Sequence, residues 1–148
     1  MSGVLWGVIG LCLLFACITD CRSCQVYNVT WWVSGAAAMI LLLQRRDRLE
    51  ESIFLELGFF VLLQLLLFSK MYGRADCYAF GVCAVAEAAA GLSLAGFLFH
   101  MLLSFTLLAF VQAIRHNIDR RGNLRRPVPF LPYITLAFWA LLWYSVTV

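Results

Sequence analysis

An all-α integral membrane protein, a bundle of six transmembrane helices, is the fold class that this sequence predicts, and three observations carry the prediction. Of 148 residues, 64% are hydrophobic and 13% charged. The mean hydropathy of +0.89 lies far outside the range of water-soluble domains. The apolar residues also fall into six runs, at about 3–19, 29–43, 53–68, 77–92, 93–114 and 130–147. Each is near the roughly 17 to 25 residues that a bilayer-spanning helix needs, some a little short. The expectation is a single membrane-embedded domain over residues 1–148, with no soluble domain, internal repeat or low-complexity tract.

Taken in order, the first run contains "GVLWGVIGLCLLFAC", which resembles a secretory signal, but no basic stretch precedes it and five more runs follow. It ends in "CITDCRSCQVYN", which holds Asp20. The second run leads into a loop of mixed charge, with Arg45, Arg46 and Arg48 offset by Asp47, Glu50 and Glu51. The third carries Glu56 and ends in "SKMYGRADCYAF", which holds Lys70, Arg74 and Asp76. The fourth contains Glu87 and the fifth His100. Between the fifth and sixth lies the one polar segment of any size, "RHNIDRRGNLRRP".

The placement of positive charge orients these spans, because short loops rich in Lys and Arg stay cytoplasmic. The loops after runs one, three and five hold Arg22, then Lys70 and Arg74, then Arg115, Arg120, Arg121, Arg125 and Arg126. Odd-numbered loops are therefore expected in the cytoplasm and both chain ends outside. The Arg-rich loop reads as a topology determinant that touches anionic headgroups. It is too short to form a folded basic surface, so no nucleic-acid partner is expected; the lipid membrane is.

On this topology Asp76 needs a partner on its own side if it is to do chemistry, since one carboxylate cannot both activate water and donate a proton. Asp47, Glu50, Glu51 and Glu56 fall on the outer side, Glu87 lies deeper in its span, and Asp119 belongs to the Arg-rich loop. That leaves Asp20. Two carboxyl groups held close do not both ionise. The ionised one then deprotonates a water while the protonated one polarises a peptide carbonyl, hydrolysing an amide without a metal or covalent intermediate. The alternative is that each aspartate caps a helix, where a carboxylate meets free N–H groups and a favourable dipole.

The stretch "DCRSCQVYN", Asp20 to Asn28, resembles the first aspartate motif of the type IV prepilin and archaeal preflagellin peptidases, in which an aspartate is followed six to eight residues later by "IPN". Val26, Tyr27 and Asn28 occupy those three places. "GRAD", Gly73 to Asp76, is similar to the "GxGD" box of the same family, and "PVPFLPY", Pro127 to Tyr133, to the proline-containing start of its last helix. The resemblance covers nearly the whole chain. It implies a membrane aspartyl endopeptidase that removes the leader of prepilin-like or preflagellin-like substrate peptides at the cytoplasmic face of a prokaryotic cell membrane. Asp20 and Asp76 would be the catalytic pair, with Gly73 and Asn28 positioning substrate, and with no cofactor and no metal. It also implies no methyltransferase activity, since the chain begins directly with its first span. The sequence departs from the pattern at Ala75 for the second glycine, Tyr78 for a usual lysine and Tyr27 for the proline. A positive φ at Ala75 would cost energy.

Two other constellations compete. Cys21 and Cys24 form a C-x-x-C, but no second pair and no nearby His completes a zinc site, and a cytoplasmic position disfavours disulfide chemistry. Asp76, Cys83 and Glu87 recur at spacings of seven and four, so they share one helix face that should look into the bundle. Glu56, Glu87 and His100 fall in the outer half of the membrane, where they read as a buried hydrogen-bonded cluster. The alternative function is a non-catalytic or degenerate homologue acting in transport or assembly through that cluster. Eleven residues separate Glu87 from Asp76, about 16 Å along a helix.

Overall fold

The computed structural model describes residues 2–118 and 128–147. Asp119, Arg120, Arg121, Arg125, Arg126 and Pro127 lie outside the described residues. The described chain forms six α-helices: α1 (Ser2–Ser23), α2 (Asn28–Gln44), α3 (Glu51–Leu66), α4 (Arg74–Ala89), α5 (Leu94–Ile118) and α6 (Leu131–Thr147). Single 3-10 turns at Arg46–Arg48 and Phe68–Lys70 complete it, and no strand occurs among the described residues. Each apolar run is thus a helix, but hydropathy misplaces some ends. Polar residues continue α1 to Ser23 and begin α4 at Arg74, because the helical hydrogen-bond ladder runs on where the apolar run has stopped. Asp20 and Asp76 consequently sit within helices.

Three stretches, Gly3–Ser23, Glu51–Lys70 and Leu94–His116, are long and apolar enough to cross a membrane, which marks the chain as a membrane protein by length and composition. Asn28–Gln44 and Leu131–Ser145 are apolar but shorter. α4 is the exception in character. It packs against α2, α3, α5 and α6 at once, and ten of its sixteen residues are buried, half of them alanine and the rest Cys77, Phe80, Val82, Cys83 and Glu87. A helix enclosed by protein needs small side chains for close approach more than it needs hydrophobicity. The outward faces of the other helices are apolar, with Leu55, Leu11 and Trp143 each at least 70% exposed.

Contacts between helix ends give the order of the bundle. The end of α1 meets the start of α6 through Asp20 and Leu131, and the residues leading into α4 meet the same place, with the Tyr72 and Phe130 rings 6.2 Å apart. At the other end Arg45 reaches from α2 to Ala89 at the close of α4, and Glu56 reaches from α3 to Leu94 at the start of α5. Successive helices therefore run in alternating directions. Between the ends lies an aromatic core in which Phe80 of α4 sits within 6.3 Å of Tyr72, His100, Phe105 and Phe130.

Two turns depend on left-handed residues. α4 closes with a Schellman motif: Gly91, at φ +88°, donates its N–H to Ala88 O, and Leu92 donates to Glu87 O. At the end of α1 the left-handed residue is Cys24, at φ +52°, whose N–H bonds Asp20 O at 2.9 Å. A side chain at such a φ costs about 1 kcal/mol or more. Gly91→Ala should accordingly lower stability by about 1 kcal/mol, while Cys24→Gly should hold or raise it, as thermal unfolding of the purified protein in detergent would measure. Equal losses from both substitutions would contradict this account of the turns.

Candidate functional site

Asp20 stands in the last turn of α1, 9% exposed. Its Oδ2 accepts the N–H of Leu131, the first residue of α6, at 3.2 Å. The first N–H groups of any helix lack partners within it, and here a carboxylate from another helix supplies one where the dipole favours negative charge. Asp76 is the third residue of α4. It occupies N3, the capping-box position that faces the N-cap Gly73, which has no side chain to return a bond. Asp76 is half-buried. Asp20, at the end of α1, and Asp76, at the start of α4, stand at the same end of the bundle, where Asp20 bonds Leu131 and the Tyr72 and Phe130 rings are 6.2 Å apart.

Of the two alternatives the sequence left, the hydrogen bonds bear out capping for Asp20, which caps a foreign helix. α4 and α6 begin at the same end of the bundle, so Asp76, in the first turn of α4, stands at that end too. Gly73, the N-cap, has φ −63° and ψ 153°, extended backbone open to any residue. What it provides is room, since a Cβ there would lie 3.3 Å from Asp76 Oδ2. Ala75 lies in the helix, and Cys24 has the one positive φ among described non-glycine residues. The missing second glycine therefore leaves no backbone strain. Asn28 is exposed at the first position of α2.

Sequence reasoning missed two neighbours of this site. Tyr72, just before Gly73, donates its hydroxyl to Gln64 Oε1 in a short hydrogen bond. Burial, with the nearby Cys77 and Asp76 as lesser causes, pushes its phenol far above the ordinary tyrosine range, and the Gln64 bond only partly offsets this. The phenol therefore stays protonated, its proton committed to Gln64. Gln64 is 1% exposed, and its Nε2 also faces the Met101 sulfur at 3.4 Å. A signal for it existed: a lone amide in "VLLQLLLF" marks the face of a span turned toward protein.

The competing constellations separate. Glu87 Oε1 and His100 Nδ1 are 2.7 Å apart with both side chains buried. His100 Nε2 lies 2.9 Å from Ile134 O. A carbonyl only accepts, so Nε2 carries a proton, and the Nδ1 contact then shares a second one with the carboxyl group. Glu87 Oε2 has no hydrogen-bond partner among the described residues. Glu56 is engaged elsewhere: its Oε2 accepts the Leu94 N–H at 2.6 Å, capping α5. Cys21 and Cys24 are exposed free thiols, and no group of three or more His, Cys, Asp or Glu among the described residues is placed to hold a metal ion.

Truncation should expose these roles. Asp20→Ala, which strips α6 of its cap, should cost about 1 kcal/mol, whereas Asp20→Asn keeps an acceptor oxygen and should unfold close to the parent temperature. His100→Ala, which leaves the Glu87 carboxyl buried and unpartnered, should cost about 3 kcal/mol. Thermal unfolding in detergent ranks the three, and an Asp20→Asn as damaging as His100→Ala would refute the assignment.

Compared with protein-family models, curated proteins and solved structures, the chain matches none of them.

Proposed function

We propose that the chain is a membrane aspartyl endopeptidase of the prepilin or preflagellin type, with six membrane-spanning helices and Asp20 and Asp76 as its water-activating pair. The observation that supports this reading above all is that Asp20 of α1 and Asp76 of α4 come to one end of the bundle, where Asp20 bonds Leu131 and the Tyr72 ring lies 6.2 Å from Phe130. The aspartates also stand within the local patterns "DCRSCQVYN" and "GRAD". Chemically the pair has what amide hydrolysis requires: an ionised carboxylate to take a proton from water and a carboxylic acid to polarise the scissile carbonyl. The two groups alternate these roles as the tetrahedral intermediate forms and collapses, and the proton returns to the leaving amine. Gly73 leaves space in front of Asp76.

Six crossings follow from the alternating helix order and from length. α2 and α6, of 17 residues each, reach about 26 Å, close to the roughly 30 Å of a hydrocarbon core. α4 crosses inside the protein rather than against lipid. Exposed Arg22, Lys70, Arg74 and Arg115 lie at the helix ends that share the aspartates' side, which makes that side cytoplasmic. The substrates are polypeptides with a basic leader followed by an apolar segment, cut where the leader meets the bilayer.

A second, non-catalytic reading is favoured by one observation: Asp20 already has a structural duty at α6, while the buried Glu87–His100 pair could serve transport or assembly. Leader removal from a co-expressed prepilin-like substrate separates the two. Asp20→Asn and Asp76→Asn should each reduce processing about 100-fold or more with the protein still folded. Processing at the parental rate in both would eliminate the peptidase reading, and a Glu87→Gln variant that is folded but functionally dead would then support the other.

A further inference from the structure

The turn between α3 and α4 is fastened to the bundle by one buried amide. Gln64, in the last turn of α3 and 1% exposed, takes a hydrogen bond from each side of Asp76. Its side-chain Oε1 accepts the hydroxyl of Tyr72, four residues before Asp76. Its backbone oxygen accepts the thiol of Cys77, one residue after, at 3.7 Å. Its Nε2 faces the Met101 sulfur of α5 at 3.4 Å, so both ends of the amide are engaged by protein.

The Tyr72 ring carries this connection toward the other aspartate. It lies 5.7 Å from Phe80 of α4, 5.7 Å from Phe105 of α5 and 6.2 Å, edge-on, from Phe130. Phe130 directly precedes Leu131, whose N–H is bonded to Asp20. Tyr72 in turn directly precedes Gly73, the N-cap of the helix that holds Asp76. One side chain thus touches both segments from which the aspartates are held. We propose that Tyr72 and Gln64 are positioning residues of the aspartate site, the bond between them fixing where the first turn of α4, and with it Asp76, stands relative to Asp20. This assignment rests on the peptidase reading above and deepens it, since two carboxyl groups that work on one water need a fixed separation.

Packing alone explains neither side chain. Phe68, Phe80, Phe105 and Phe130 surround the Tyr72 ring, and a phenylalanine would fill the same space. The hydroxyl adds a bond of defined distance and angle. At position 64 a leucine would continue the apolar run of α3 without the cost of burying an amide. Gly73 offers no side-chain cap, so Tyr72 and Cys77 make the side-chain hydrogen bonds nearest Asp76 in the chain among the described residues. Both end on Gln64.

The test uses the full chain in lipid nanodiscs and a synthetic peptide with a basic leader and an apolar segment. Tyr72→Phe and Gln64→Met each remove one partner and leave the other buried and unpaired, so both should lower the unfolding temperature. The double variant removes both partners and should unfold close to the parent. Its kcat for leader removal should nonetheless fall about tenfold or more, with KM within about twofold. A role in stability alone would restore kcat together with the unfolding temperature, and a double variant as fast as the parent overturns the proposal. A second measurement needs no cleavage. Spin labels on Cys21 and on Arg74→Cys, both exposed positions, report the separation of the two segments once Cys12, Cys17 and Cys24 are replaced by serine. The double variant should shift that distance by about 1 Å or broaden it; a distribution identical to the parent's overturns the proposal whatever the activity. A parent that never cuts the peptide, with a label distance that still depends on Tyr72 and Gln64, sinks the peptidase and keeps the tie between the two segments.

Discussion

The ends of helices govern this structure. Where a helix begins or stops without water, its last backbone groups must find partners or the bundle is destabilised by their desolvation. Three such ends are tied by side chains from other helices: Asp20 of α1 to Leu131 of α6, Glu56 of α3 to Leu94 of α5, and Arg45 at the close of α2 to Ala89 of α4. The signs agree with the helix dipole in every case, with carboxylates at N-termini and a guanidinium at a C-terminus. Each tie joins helices that are not neighbours in sequence. The bundle is thereby registered end to end by a few polar bonds, while dispersion and small-residue packing hold its length.

The same constraint explains why the candidate site lies where it does. Asp20 is held at the start of α6 by the Leu131 N–H, and Asp76 stands in the first turn of α4. Because α4 and α6 start at the same end, the two carboxyl groups stand at one end of the bundle. The central position of α4 does the rest. Between α2 and α3 its face opens into a cleft lined in part by Cys77 and Tyr78, the two residues after Asp76. Deeper in, Glu87 and His100 tie α4 to α5 and, through Ile134 O, to α6.

Much of this was legible in the sequence because hydropathy reads the solvent directly. Six apolar runs became six helices, and topology places Asp20 and Asp76 at the same end of the bundle. The helix ends were less legible, since an apolar run says where a chain meets lipid or core and not where its hydrogen-bond ladder stops. α4 shows the limit best: it is the least apolar helix because it touches protein on several sides, so its hydropathy understates its burial. The grouping of Glu56 with Glu87 and His100 had the same origin. Depth in the membrane was readable, but the partner of Glu56 is a backbone N–H that no side-chain pattern encodes. Tyr72, Gln64 and the duty of Asp20 at Leu131 were likewise hidden, each being half of a contact whose other half is distant in the chain.

The box "GRAD" gains a different meaning from its geometry. A glycine-rich box invites an account in terms of backbone freedom, and on that account Ala75 would be a defect. Yet Gly73 is extended, Ala75 is helical and neither needs a positive φ. The constraint at Gly73 is steric, because a Cβ would sit a tight 3.3 Å from Asp76 Oδ2, which would have to shift by a few tenths of an ångström. Ala75 faces no such demand; it is half-buried against the core, where its methyl group adds packing. Of the two glycine places in the box, only the first bears on where the carboxylate stands, and this chain keeps that one.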